Sequence, residues 1–469
     1  MKKTMHSIKK SILNIVFWSV ISAAFIGPGT VTTATKAGSD FQFQLLWSLV
    51  FATFACLVLQ EASARVTIYS GKNLGQAIKY YFRGKKTQAS VLFLITGAII
   101  AGCAAYETGN ILGSVEGISL IFPKFDKRIL VLIFAVMAGV ALSLKSLRKM
   151  ATFIGSFVFV MGATFITTAV FSHPPVPEII KGSLMPSLPD TPGAGLLVLG
   201  LIGTTVVPYD LFLGSNVIQK DTTIRDMRIG ISTAIILGGI ISMAILVVGT
   251  EMTRGLDPEA VKNLPFSFKL LEQTLVIHIG TWAVYIFGFG LFAAGFSSAI
   301  TSPLASALTA RSIFEKEKQE DQNGFVIKGK EPWYKSYTML AYAVLIVGVA
   351  FGLMNIKPVP AIIMAQAFNG LILPFISIFL IWVINDVSIM GKQHLNGWFS
   401  NICMAIVVWV TLVLGIVNVV KAIFSIFGSQ INSPDTLFAI SAVVSLVITV
   451  LICVKIIIKR TSNIVVEGE

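Results

Sequence analysis

Twelve long apolar runs dominate this sequence and leave little else from which a fold could be built. A helix needs about 17–25 mainly apolar residues to cross a bilayer, and each run reaches that length. The sequence therefore predicts an all-α integral membrane protein with twelve transmembrane helices. The predicted spans are 12–36, 42–66, 89–115, 129–146, 151–172, 193–218, 229–252, 275–310, 336–355, 359–385, 398–424 and 434–457.

The basic residues indicate how these spans are oriented. With twelve spans, one side of the membrane carries 25 Lys and Arg residues and the other carries nine. Because basic loops stay in the cytoplasm, we predict a multi-pass plasma-membrane protein with both termini cytoplasmic. The net charge of +13 lies in short loops between spans, which argues against nucleic-acid binding and for a lipid-bilayer environment.

The stretches between the spans are short. The two larger ones, 173–192 and 312–335, are predicted to be loops. No soluble catalytic portion, intramembrane nucleophile or cofactor motif is visible, so the sequence predicts a transporter rather than an enzyme, with no cofactor. At the end of span two, Glu61 and Arg65 have the i, i+4 spacing of an ion pair.

Two spans are interrupted in the middle. Span one contains Gly27-Pro28-Gly29, and span six contains Pro208 within the stretch 203–210. Glycine and proline both weaken a helix, and backbone groups freed inside a membrane must line a cavity or find a partner. Broken helices at corresponding places in two halves indicate an inverted-repeat transporter with its substrate at the breaks. The alternative is a pair of proline kinks in ordinary helices.

From span one to span ten the chain resembles the Nramp family of proton-coupled divalent-metal transporters. The stretches that carry this resemblance are Leu45-Leu46-Trp47, Leu59-Gln60-Glu61-Ala62-Ser63-Ala64-Arg65, Ser70-Gly71-Lys72-Asn73-Leu74, Ala294-Gly295-Phe296-Ser297-Ser298-Ala299-Ile300-Thr301, Ala365-Gln366-Ala367-Phe368-Asn369-Gly370, Leu373-Pro374-Phe375, Asn385-Asp386 and Met390-Gly391.

The resemblance implies the LeuT-type fold of the amino acid–polyamine–organocation superfamily. In that fold, one transmembrane domain, here 1–469, is a 5+5 inverted-repeat bundle that works by alternating access. Repeat one would comprise 12–172 and repeat two 193–385. Two appended helices would occupy 398–457.

The sequence departs from the family at its metal-binding positions. The family motif Asp-Pro-Gly-Asn of span one aligns with residues 27–30, and Met-Pro-His-Asn of span six aligns with 207–210. The aspartate, asparagine and methionine of the family are therefore replaced by Gly27, Thr30 and Val207. A soft transition metal needs ligands such as carboxylate and thioether, so the resemblance implies a scaffold without the usual metal site.

The broken helices suggest what binds instead. The half-helix that begins near Gly29 presents unpaired amides, which favour an anion such as a carboxylate. Carbonyls near Thr204, with Tyr209 and Asp210, would favour a cation or an ammonium group. Alternatively, the threonines satisfy helix carbonyls, and Asp210 pairs with a neighbouring helix. The predicted substrate-binding residues are Gly27, Gly29, Thr30, Thr33, Thr204, Thr205, Val207, Tyr209 and Asp210.

Coupling to H⁺ or Na⁺ is expected, and three residues are candidates. Glu107 aligns with an acidic position of the family's proton route, although a structural ion pair is the alternative. Ser297 and Ser298 occupy the place where LeuT-type sodium symporters supply hydroxyls, although ordinary Nramp proteins also have serines there. Gln366, Phe296 and Asn369 are candidates to line the path, although phenylalanine and asparagine in a bundle core more often serve packing and helix–helix contact.

The leading hypothesis is symport of a small polar solute by a secondary transporter related to Nramp proteins. The first alternative is proton-coupled transport of a divalent ion (Mg²⁺, Mn²⁺ or Fe²⁺) through a remodelled site, in which Asp210 or Glu107 would supply the missing carboxylate. A sensor that does not transport is a third class, but no soluble signalling domain supports it.

Overall fold

The computed structural model of the chain describes residues 25–144, 147–189, 194–218, 222–251, 253–254, 267–278, 280–314, 334–354, 356–426 and 434–465. This part of the chain contains α-helices and short 3-10 turns and no strand. The helices are α1 (Pro28–Phe41), α2 (Leu46–Ser70), α3 (Leu74–Tyr81), α4 (Gln88–Ile121), α5 (Lys127–Leu142), α6 (Leu147–Phe171), α7 (Val176–Leu184), α8 (Ala194–Thr205), α9 (Pro208–Val217), α10 (Ile224–Thr250), α11 (Phe268–His278), α12 (Thr281–Phe314), α13 (Tyr334–Leu353), α14 (Pro358–Val383), α15 (Val387–Met390), α16 (Trp398–Ile426) and α17 (Pro434–Val465).

Every predicted span coincides with at least one of these helices, although 12–24 of span one lie outside the described residues. Within the described residues, eight helical stretches are long and apolar enough to cross a membrane, one of which, Pro28–Ser70, covers both span one and span two. Two shorter apolar helices, Tyr337–Leu353 and Gly370–Val383, match spans nine and ten. The α-helical membrane architecture is therefore confirmed.

Three predicted boundaries differ from the structure. Span eight is not one continuous helix from 275. The chain turns at Gly280, which has a φ of +113°, a value that residues with a side chain rarely adopt, and α12 begins at Thr281. The predicted loop 173–192 contains helix α7, whose prolines lie at its first positions, where proline is tolerated. Of the predicted loop 312–335, residues 315–333 lie outside the described part of the chain, and its two ends belong to α12 and α13.

Helix α3 follows span two and was not predicted. Asn73 caps it by accepting a hydrogen bond from the backbone of Gln76, while the Gln76 side chain accepts one from the backbone of Asn73. This reciprocal capping box has a recognisable sequence signature, in which a cap residue is followed three positions later by Glu or Gln. The missed helix could therefore have been found from residues 73–76.

Helix α1 lies directly against α10, with no side chain between the two backbones at their closest point. A Cβ atom added to Gly38 would be 2.1 Å from the carbonyl oxygen of Leu246, and one added to Gly249 would be 2.2 Å from that of Thr35. Only glycine allows this approach, since any side chain would overlap backbone atoms that cannot rotate away. The half of span one after the break is therefore held tightly to α10.

The lysine-rich end of the bundle is joined by ion pairs. Arg65 contacts Glu61 at 3.2 Å, as the sequence predicted, and Arg228 of α10 contacts the other oxygen of Glu61 at 2.9 Å. Arg65 also donates to the side chain of Asn396, in the segment before α16, at 2.6 Å. Helices α2 and α10 and this segment are thus tied together on one side of the membrane.

Phe296 belongs to an aromatic cluster rather than to a solute path. It is buried, and its ring lies 5.5 Å from that of Phe134, 4.8 Å from that of Phe157 and 5.7 Å from that of Phe292. These rings join α5, α6 and α12 by tilted, edge and stacked contacts, the arrangements that aromatic pairs favour. The packing interpretation therefore applies to Phe296, and the side chain of Asn369 lies outside the described part of the chain.

Candidate substrate site

Both interrupted spans are true breaks, and they have the same backbone design. Gly27 and Val207 are extended, with ψ values of −175° and 126°, and each precedes a proline that opens a new helix. By contrast, Pro303 and Pro374 lie inside continuous helices. The proline-kink alternative is therefore wrong for spans one and six. Neither new helix has a side-chain cap, which leaves its first amides without an intrahelical partner.

Thr30 connects the two breaks. Its hydroxyl donates to the carbonyl oxygen of Phe25 at 2.6 Å and also faces the carbonyl oxygen of Thr204 at 3.5 Å. The hydroxyls of Thr204 and Thr205 instead donate to Leu201 within their own helix, at 3.1 and 3.0 Å. The alternative that threonines satisfy helix carbonyls therefore holds for Thr204 and Thr205, whereas Thr30 links span one to span six.

Gln366 of α14 packs onto the beginning of α1. Thr33 donates to its Oε1 at 3.0 Å, and a Cβ atom added to Gly29 would lie only 1.8 Å from its Nε2. This Nε2 is buried and has no hydrogen-bond partner. An unpaired amide nitrogen thus lies beside the free amides of the first turn of α1, so hydrogen-bond donors surround Gly29.

At Gly27, which aligns with the family's aspartate, no carboxylate is present, and neutral polar groups surround the position. A Cβ atom added there would be 2.9 Å from Oγ of Ser298 and 3.3 Å from Oδ1 of Asn110. Ser298 also faces the carbonyl oxygen of Ile26 at 3.5 Å, whereas Ser297 donates to Ala294 within its own helix at 3.0 Å. Of the two predicted serines, Ser298 reaches the break and Ser297 does not.

Two carboxyl groups are buried near the breaks. Glu107 is fully buried, and its Oε2 accepts a hydrogen bond from Asn110 at 3.4 Å, while its Oε1 has no partner. Within the described part of the chain, this side chain is therefore in no structural ion pair. Tyr209 lies within electrostatic range of Glu107, and its ring packs at 5.6 Å against that of Tyr106.

Asp210 occupies the first turn of α9 and is 1% exposed. Neither of its oxygens has a hydrogen-bond partner, and the amide of Gln60 on α2 lies beside it without hydrogen-bond geometry. Asp210 thus has the Gln60 amide of a neighbouring helix beside it but, among the described residues, forms no ion pair with another helix. A buried carboxyl group without a partner is costly, so the chain retains it at the expense of stability.

The predicted site residues lie at the two breaks, and most of them are buried. Thr30, Thr33 and Val207 are at most 5% exposed, as are Tyr209 and Asp210. Among the described residues, no group of three or more His, Cys, Asp or Glu side chains could hold a metal ion. Gln366 was predicted to line the path, and its amide packs on Gly29, whereas Gln60 was not predicted for the site. Both are long polar side chains at buried positions of apolar helices.

Comparison with known proteins identifies the scaffold. The family model "Natural resistance-associated macrophage protein-like" (Nramp) matches residues 19–421. A protein of Pectobacterium carotovorum named divalent metal cation transporter MntH is 25% identical over 417 residues, which cover 87% of this chain and 94% of that protein. A protein of the same name from Erwinia tasmaniensis is 26% identical over 324 residues, which cover 66% of this chain and 74% of that protein.

Solved structures give the same fold. The manganese transporter of Eremococcus coleocola superposes with a TM-score of 0.70 at 20% identity, covering 97% of this chain and 96% of that chain. The transporter MhsT in complex with L-phenylalanine gives 0.56 at 13% identity, covering 87% and 98%. The fold is thus LeuT-type, as the resemblance implied. With a family match that spans most of its length, this chain belongs to the Nramp family of multi-pass membrane transporters.

Proposed function

We propose that the chain transports a small polar organic solute with a carboxylate group, coupled to H⁺ or Na⁺, by alternating access at the two breaks. The observation that carries this proposal is the buried, unpaired Nε2 of Gln366 beside Gly29. Hydrogen-bond donors without a partner favour an acceptor with negative charge. A carboxylate would satisfy this amide and the free amides of the first turn of α1 together.

The opposite half of the site favours a positive group. Asp210 and Glu107 both carry oxygens without a partner, and Tyr209 lies within electrostatic range of both. An ammonium group or a coupling cation would compensate such carboxyl groups in a low-dielectric interior. Separate donor and acceptor halves suit a zwitterion, which carries both charges, better than a bare divalent ion.

Glu107 is the candidate for proton coupling. It is buried between α4 and α13, since a Cβ atom added to Gly348 would be 2.7 Å from its Cγ. A carboxyl group that can be protonated without breaking an ion pair suits a proton carrier within the membrane. Sodium is the alternative, for which Ser298 at the break is the remaining candidate of the two serines.

Following the asymmetry of basic residues, we propose that both termini are cytoplasmic.

The second candidate function is transport of a divalent cation, and the comparisons support it more than they support the first. The relatives from Pectobacterium and Erwinia are named divalent metal cation transporters. In this chain the ion would depend on Asp210 or Glu107, because the residues at the family's metal positions are Gly27, Thr30 and Val207. A hard ion that keeps part of its water shell, such as Mg²⁺, needs no thioether ligand.

Uptake into proteoliposomes tests the two candidates against each other. The assay would compare Mn²⁺ and Mg²⁺ with a panel of amino acids and small carboxylates, under proton and sodium gradients. The solute proposal expects accumulation of an organic solute and no metal uptake. Metal uptake that Asp210→Asn abolishes would overturn it and establish a rebuilt metal site.

Gln366→Glu sharpens this test, because it replaces the unpaired donor with a carboxylate in the same place. For a carboxylate solute we expect uptake to fall at least about tenfold, through repulsion and loss of a charge-assisted hydrogen bond. For a divalent cation the added carboxylate would instead maintain or increase uptake. Gln44→Glu, at an exposed position, is the matched control and should leave uptake unchanged.

A further inference from the structure

A cavity lies away from the breaks, at the lysine-rich end of the appended helices. It has a volume of about 430 Å³ and is enclosed by the end of α14, the start of α16 and the end of α17. Its walls are mainly apolar, with Ile381, Ile402 and Ile456 among them. The volume falls within the range of small-molecule sites, and the walls would accept a hydrocarbon chain.

One end of this cavity carries a cationic group with spare hydrogen-bonding capacity. Arg460 donates through Nη2 to the carbonyl oxygen of Asn396 at 2.7 Å, while its Nε is buried without a partner. In the described part of the chain no carboxylate lies within ion-pair distance of Arg460. The other polar group, Asn401, already exchanges hydrogen bonds with Asn385 and accepts one from Asn396.

The surroundings add positive charge. Lys459 lies 5.4 Å from the ring centre of Tyr81, and Lys85 lies 4.0 Å from the same ring. Asp386 is 2.6 Å from Lys459 and is thereby engaged. Burial, followed by repulsion from Lys459 and Lys455, lowers the pKa of Lys85. This corner of the protein therefore has more positive than negative charge.

The cavity opens on a surface suited to the edge of a bilayer. Trp398 at its rim is 71% exposed, and the neighbouring Phe399 is 81% exposed. Exposed aromatic residues at helix ends are typical of the membrane–water interface. The adjoining face of α17 exposes Leu451 and Ile458, so lipid chains would surround the opening.

We propose that this cavity binds an anionic glycerophospholipid, with its phosphate at Arg460 and part of an acyl chain between α14, α16 and α17. The apolar walls match the chain, and the guanidinium, with an excess of basic residues around it, matches the phosphate. A zwitterionic lipid has the same acyl chains but a compensated headgroup, and inorganic phosphate has the charge without the chain. The two therefore serve as separate arms of the test.

The test measures lipid binding to the purified full-length protein by native mass spectrometry and by the shift in melting temperature. The probes are phosphatidylglycerol, phosphatidylcholine and inorganic phosphate. We expect phosphatidylglycerol to bind and stabilise most strongly, and Arg460→Gln to weaken its binding about tenfold, since a charge-assisted hydrogen bond is lost. Arg83→Gln, an exposed charge on the same side, is the matched control and should bind as wild type does.

A second variant tests the acyl-chain part without altering charge. Ala405 lines the cavity, so Ala405→Leu reduces its volume while Arg460 remains. We expect this variant to lose its preference for phosphatidylglycerol over phosphatidylcholine. Its substrate uptake should remain that of the wild type, because the breaks are unchanged. The proposal is overturned if Arg460→Gln and Ala405→Leu both bind phosphatidylglycerol as the wild type does. It is also overturned if phosphatidylglycerol and phosphatidylcholine bind equally, or if inorganic phosphate alone displaces the bound lipid.

Discussion

The breaks in spans one and six share one backbone design but have opposite chemistry. In each, an extended residue precedes a proline that opens a new helix without a side-chain cap. Beside the first break the unpaired groups are donors, above all the amide of Gln366, whereas the second carries the unpaired carboxyl group of Asp210. Under the proposed function, the shared backbone design marks the binding place, and the neighbouring side chains decide which charge each end accepts.

The largest expected difference between the two breaks comes from adding one methyl group to each. Gly29→Ala would place a Cβ atom 1.8 Å from Nε2 of Gln366, so the amide must move away, whereas Gly203→Ala meets nothing within 4 Å. We expect uptake to fall at least about tenfold for Gly29→Ala and to stay within about twofold for Gly203→Ala. Equal uptake by the two variants, measured in proteoliposomes, would remove the distinction between the breaks.

A smaller effect is expected when the carboxyl group of the second break is neutralised. Asp210→Asn should lower solute uptake and raise the melting temperature. Removing a buried carboxyl group without a partner should add about 1 kcal/mol to the free energy of unfolding. Thermal unfolding in detergent and uptake would be measured together. A lower melting temperature for Asp210→Asn would mean that the carboxyl group has a stabilising partner.

Asp386→Asn is the matched control, and its melting temperature is expected to change in the opposite direction. Burial alone would raise the pKa of Asp386, but hydrogen bonds from Lys459 and Ser388 lower it below its usual value. The ionised side chain therefore stabilises the fold above the unfolded pKa of about 3.9, and this contribution is lost as the pH falls through the folded-state pKa. Asp386→Asn should thus lower the melting temperature at neutral pH, and the difference from wild type should shrink below about pH 4.

The smallest expected effect concerns the hydroxyls at the breaks. Thr30→Val leaves the carbonyl of Phe25 without its donor, which should cost about 1 kcal/mol and lower the uptake rate. Thr204→Val removes only a bond to Leu201 within the same helix, an acceptor that Thr205 also reaches, and should be nearly neutral. Melting temperatures and initial uptake rates of the two isosteric variants would be compared, and equal losses would contradict a link between the breaks through Thr30.

Much of the fold could be predicted because a membrane imposes simple rules. Apolar length locates the spans, and Gly-Pro-Gly at 27–29 and Pro208 locate the breaks. The errors lie where local chemistry outweighs composition. The prolines near 175–177 start α7 instead of forming a loop, and the chain turns at Gly280 within a run that is mainly apolar.

The candidate site could be predicted only in part, because its decisive contacts join distant parts of the chain. Thr33 meets Gln366 across 333 positions, and the two breaks meet at Thr30 and Thr204 across 174. Residue type identified Asp210 as a candidate, but its lack of a partner depends on which face of α9 meets Gln60 on α2. No periodicity in the sequence encodes that orientation.

The close backbone approach at Gly38 of α1 and Gly249 of α10 limits how these two helices can move relative to each other. Two backbones in direct contact without intervening side chains resist sliding past each other, so we expect α1 and α10 to move together. The alternating access proposed here would therefore either move the chain before Gly27 relative to α1, or move α1 and α10 together.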